Sequence, residues 1–98
     1  MSEPVLTHAE VDAALEEQHL NWYRHGDVLT TTVTLHDFGA ALEFVNAVGT
    51  AAEAANHHPD IDIRWNKVRL TLTTHDAGGL TLLDLALAAA IDRLTPTA

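Results

Sequence analysis

The chain has 98 residues, no cysteine, 47% hydrophobic residues and a net charge of −9. That length predicts one domain, residues 1–98, with one core, and the lack of cysteine excludes disulfides, thiolate zinc sites and a cysteine nucleophile. Fourteen acidic against five basic residues exclude a nucleic-acid partner, which needs a basic face.

At the N-terminus, Met1-Ser2-Glu3-Pro4 lacks the basic and apolar regions of a signal peptide. Thr7, with Glu10 three residues on, has the pattern of a helix capping box, and Leu6 and Val11 flank it as a hydrophobic staple. Val11, Ala14, Leu15 and Gln18 recur at helical spacing, so a helix is predicted over residues 8–18. Leu20–Arg24 is a short β-prone run, and His25-Gly26-Asp27 reads as a turn. Val28–Leu35 alternates, and threonines at 30, 31, 32 and 34 favour a strand through β-branching.

From Phe38 to Ala55 the period becomes helical, with Phe38, Ala41, Val45, Val48 and Ala52 on one stripe. Pro59 then enforces an end near Asn56-His57-His58, because the residue before a proline is pushed out of helical geometry. Ile61, Ile63 and Trp65 alternate with polar residues, Asn66-Lys67 is the predicted turn, and Val68, Leu70 and Leu72 alternate in a returning strand. After Gly78-Gly79, Thr81 caps a final helix, Leu82–Leu94, with Asp84 at its third position. The apolar stretch Leu80–Ile91 is too short to span a bilayer and contains Asp84, so no membrane association is expected and a cytoplasmic location is. The last helix is apolar almost all round, which points to an oligomer interface. The order α-β-β-α-β-β-α predicts an α+β fold: a four-stranded antiparallel sheet with helices packed on one face, in two layers.

Seven histidines stand out on this background. Imidazole titrates near neutrality (about 6.5 when unperturbed) and both gives and takes protons. His57 and His58 lie where the middle helix ends, and His75 where the fourth strand ends. These two places can share one rim of a two-layer domain. Asp84 could orient an imidazole there, and Trp65 could offer a flat wall. Each also has a plainer reading: Asp84 as a helix cap, Trp65 as core, Glu53 as part of a solvated stripe. Zinc held by histidines and a carboxylate fits the spacing poorly, with no His-x-x-x-His on a helix. Acid–base catalysis without a cofactor fits at least as well.

The string Glu53-Ala54-Ala55-Asn56-His57-His58-Pro59, with Trp65, His75 and Asp84 following at set intervals, resembles the signature of the pterin-4a-carbinolamine dehydratase family. Trp22, Asp37-Phe38, Asn66-Lys67-Val68, Thr74-His75 and Gly79-Leu80-Thr81 extend the likeness over roughly residues 20–94. Departures are mild. Trp65 stands where the family usually has Tyr or Phe, Val33 and Leu35 where it has Phe, and Asn21 where Gly is frequent.

The resemblance implies a cofactor-free, metal-free dehydratase that converts 4a-hydroxytetrahydropterin to quinonoid dihydropterin and water, in tetrahydropterin recycling. It implies His57 and His75 as acid and base, and His58 as a substrate-holding histidine. Asp84, Trp65 and Glu53 would bind or orient. It also implies a pterin as the small-molecule partner and self-association as a dimer or tetramer. A non-catalytic assembly or dimerisation partner on the same fold is the alternative.

Overall fold

A computed structural model describes residues 3–96. The helix α1 (His8–Glu17) starts at the predicted box: the Thr7 amide donates to Glu10 Oε1 at 2.8 Å, and the Glu10 amide to Thr7 Oγ1 at 3.1 Å. Strands β1 (Tyr23–His25) and β2 (Val28–Thr34) form the first hairpin. The long helix α2 (Phe38–Ala55) follows, capped by Asp37, whose carboxylate accepts from the Ala40 amide at 2.8 Å. Strands β3 (Asp60–Arg64) and β4 (Lys67–Leu72) make the second hairpin. A 3-10 turn (His75–Ala77) leads to α3 (Leu82–Leu94). The predicted order and class hold. The sheet is antiparallel in the order β1-β2-β4-β3, so the two hairpins join through β2 and β4.

Strand alternation decides the layers. Leu29 and Val33 of β2 and Val68, Leu70 and Leu72 of β4 are buried, together with Val11, Phe44, Val48, Leu85 and Ile91 from the helices. Thr32, Thr34, Lys67 and Arg69 lie on the opposite, open face. The period of two thus sends one set of side chains to the helices and the other to water.

Three predicted details change. The second turn is Trp65-Asn66, one residue earlier than expected, and Trp65 takes a positive φ of 52° there. Asn66 pins this turn: its carbonyl accepts from the Leu35 amide at 2.8 Å, and its Nδ2 donates to the Leu35 carbonyl at 2.9 Å. Trp65 is accordingly 66% exposed and is not core. On α2 the buried stripe is Ala41, Phe44, Val48 and Ala52. Phe38 and Leu42 stay 47% and 41% exposed; with Val45 they form a second apolar stripe, rotated by roughly a quarter-turn at ~100° per residue. The apolar character of α3 has a cause within the chain. It lies against both α2 and α1 and buries Leu85, Leu87, Ala88 and Ile91 over a wide arc.

Two side chains tie distant segments to this frame. Asp92 of α3 accepts from Trp22 Nε1 at 3.0 Å and from the Asn21 amide at 2.8 Å. Arg24 of β1 donates from Nε (2.7 Å) and Nη2 (3.1 Å) to the two oxygens of Asp12 on α1. The Arg24 guanidinium holds the Asp12 carboxyl below its ordinary value of 3.8, and the Thr7 backbone amide does the same for Glu10 below 4.5. A depressed carboxyl contributes stability that is present above its unfolded value and lost as pH falls through the folded one. In urea titrations, the wild type is therefore expected to exceed Asp12→Asn at pH 6, with the gap closing as pH drops below 3.8. A gap independent of pH would contradict this coupling.

Candidate active site

The site is built where α2 stops. Asn56 adopts the left-handed conformation (φ 50°, ψ 42°), which Asn tolerates better than most residues. The His57 amide then donates to the Ala52 carbonyl (3.1 Å) and the Asn56 amide to the Glu53 carbonyl (3.2 Å). This double closure reverses the chain and sends the two neighbouring histidines apart. His57 is 9% exposed, whereas His58 stays in solvent and pairs through Nε2 with Glu53, one turn back on the helix. Both partners of that second pair are more than half exposed, so it contributes little to stability.

On the other side, β4 ends and Thr74 bridges to Gly79 across the 3-10 turn that carries His75. The N-terminal segment lies close over this turn: a Cβ on Gly79 would sit 2.9 Å from Val5 Cγ1, so the valine side chain would have to shift, and the Leu6 amide donates to the Leu80 carbonyl at 2.8 Å. This N-terminal segment packs the turn against the start of α3. There Asp84 has no solvent exposure. Its Oδ1 is 2.6 Å from His57 Nε2. Its Oδ2 accepts from the Thr81 amide at 2.9 Å and from Thr74 Oγ1 at 2.8 Å. One oxygen of Asp84 thus closes the helix cap, and the other meets the His57 imidazole.

His57, His58 and His75 line one cleft of about 300 Å³ with Asn56, Thr74 and Leu83. Glu53 reaches it only through His58. The structure does not bring Trp65 to it. That residue lies beyond the opposite end of β4, whose six residues span roughly 20 Å. A larger cleft, about 520 Å³, lies on the open sheet side by Tyr23, Thr32 and Asp92. It carries one histidine, His25, whereas the smaller one gathers three with a buried carboxylate behind them; chemistry favours the smaller. Among the described residues no three His, Asp or Glu side chains converge as a metal site. Thr74 and Leu83 were not singled out from sequence as site residues. A threonine ending a strand and a leucine in an apolar helix carry no chemical signature until the fold places them.

The chain matches the family described as pterin 4 alpha carbinolamine dehydratase over residues 4–94. It is 54% identical over 91 residues to a protein of Chloroflexus aurantiacus named a candidate pterin-4-alpha-carbinolamine dehydratase, covering 93% of this chain and 97% of that one. A protein of Nocardia farcinica with the same name is 47% identical over 94 residues, covering 96% and 98%. Among solved structures, a transcriptional coactivator/pterin dehydratase from Brucella melitensis superposes with a TM-score of 0.87 at 29% identity, covering 94% of this chain and 99% of its own. A pterin dehydratase-like protein identified as a RuBisCO assembly factor in the alpha-carboxysome shares the fold, with a TM-score of 0.67 at 23% identity, covering 83% and 96%. With a family match over nearly its whole length and relatives near half identity, this chain belongs to the pterin-4a-carbinolamine dehydratase family.

Proposed function

We propose that this chain is a dehydratase converting 4a-hydroxytetrahydropterin to quinonoid dihydropterin and water, by histidine acid–base catalysis and in tetrahydropterin recycling. The observation that carries the reading is the convergence of three imidazoles on one cleft with a buried carboxylate behind His57. Its volume, about 300 Å³, is at the small end of the range of about 300–1,000 Å³ for ligand cavities, which suits a bicyclic pterin.

The reaction breaks the C4a–O bond and removes the N5 proton. The N5 electron pair closes the C4a=N5 double bond, and the departing oxygen takes a proton to leave as water. No electrons are transferred, so two proton-handling groups suffice and no cofactor is needed. His57 and His75 are assigned these two roles, and His58, held by Glu53, contacts the substrate. Asp84 orients His57, and Trp65, remote from this cleft, is left without a role in its own chain's site.

Exposed apolar side chains on two helices, Phe38 and Leu42 on α2 and Leu82 on α3, support self-association as a dimer or tetramer. No helix among the described residues is long and apolar enough to cross a membrane; a cytoplasmic location is part of the proposal. The alternative of a non-catalytic assembly partner has only the shared fold in its favour.

The test is turnover of 4a-hydroxytetrahydropterin generated in situ by an aromatic amino-acid hydroxylase. Purified protein treated with a chelator is expected to accelerate formation of the quinonoid product. No acceleration over buffer would overturn the assignment.

A further inference from the structure

The groups behind Asp84 form a chain whose direction follows from counting protons. Thr74 Oγ1 donates to Asp84 Oδ2 at 2.8 Å and has only one proton to give. In its 2.8 Å contact with Thr81 Oγ1, Thr74 must therefore accept, and Thr81 must donate. Thr81 Oγ1 in turn accepts from the Leu83 amide at 3.2 Å. The sequence of donation runs one way: Leu83 amide, Thr81 hydroxyl, Thr74 hydroxyl, Asp84 Oδ2. The Thr81 amide adds a second bond to the same oxygen.

Every side chain in this chain of bonds is buried: Thr74 is 8% exposed, Thr81 and Asp84 not at all. Thr81 and Asp84 are therefore closed to water, and Thr74 meets it only at the edge of the cleft. Oδ2 accepts from two donors, as an ionised carboxylate does, and an ionised Asp84 accepts at Oδ1 as well, so the proton of that contact comes from His57 Nε2. The other ring nitrogen, Nδ1, has no partner within the described residues. No buried polar side-chain atom among them lacks one, so Nδ1 is the nitrogen that reaches the cleft.

We infer that the Thr81–Thr74 hydroxyl relay is a positioning device that holds His57 as the Nε2–H tautomer and presents Nδ1 as its working atom. Thr74 is the central positioning residue. The tautomer stands on the hydrogen-bond count around an ionised Asp84, and only its consequence for turnover rests on the dehydratase reading.

Long-range proton–nitrogen correlation spectra of nitrogen-15-labelled protein test it. Neutral His57 in the wild type is expected to show protonated Nε2 and bare Nδ1; the reverse tautomer overturns the inference without any variant being made. Thr74→Val keeps the volume but removes the hydroxyl, and is expected to bring the two nitrogen shifts of His57 towards each other. Its kcat should fall on the order of tenfold, the worth of one hydrogen bond to a charged group, with KM within about twofold of the wild type. Thr74→Ser should restore both. A lowered kcat with an unchanged His57 spectrum, or no rescue by serine, would make Thr74 merely structural. A shifted spectrum in a protein with no dehydratase activity would retain the relay and remove the proposed function instead.

Discussion

The double substitution His57→Ala with His75→Ala is expected to return dehydration of 4a-hydroxytetrahydropterin to the buffer rate. A positioned general acid or base contributes on the order of 10²- to 10⁴-fold, and this variant removes both candidates from the cleft. The single variants should each lose a large fraction of kcat, but less than the double, because the remaining imidazole still serves one of the two proton transfers. His58 makes a useful contrast. Its imidazole stands in solvent on Glu53, so His58→Ala is expected to act more on KM than on kcat. The rate should be bell-shaped with pH, since one imidazole must be neutral while the other is protonated. Stopped-flow measurement of quinonoid product formation reads all of these. A double variant retaining wild-type turnover would remove the histidines from the mechanism.

The second large effect is on stability. Asp84→Ala is expected to cost about 3 kcal/mol or more, because each buried donor left without a partner costs about 1–3 kcal/mol. Three donors would be stranded: the Thr81 amide, the Thr74 hydroxyl and His57 Nε2. Their access to water is small, since Thr81 is fully buried and Thr74 and His57 nearly so. The same substitution removes half of the capping box of α3. Against a total of about 5–15 kcal/mol for a typical domain, this is a large fraction, visible as a lowered urea midpoint with an unchanged slope. A cost below about 1 kcal/mol would show that the network is not a stabilising element.

These two predictions converge on one residue pair because Asp84 serves two ends at once. One oxygen closes the first turn of α3, where a carboxylate is favoured by the unpaired amides and the helix dipole. The other carries His57 from the end of α2, 27 residues earlier in sequence. Folding of the last helix and orientation of the imidazole are thereby coupled.

Much of this was readable from sequence because it is local. The caps at Thr7 and Thr81, the alternation of β2 and β4 and the stop before Pro59 each depend on residues within a few positions of one another. The family signature placed the three histidines and Asp84 in one string. Other features depended on what lies across the core. Periodicity identifies a helical stripe but cannot weigh Phe38 against Phe44; packing against the neighbouring elements buried Phe44. Alternation carried Trp65 into β3, but Asn66 bonds to Leu35, 31 residues away, and that contact moved the turn and left Trp65 in solvent. The separation of His57 from His58 follows from the left-handed Asn56, and the relay through Thr74 exists only once β4 and α3 meet. Sequence by itself determined the elements, their order and the residue types available for proton transfer, because short-range sterics and hydrogen bonding govern these. Tertiary structure alone decided which imidazole is buried, which nitrogen faces the cleft and which aromatic lies outside it, because those depend on partners far apart in the chain.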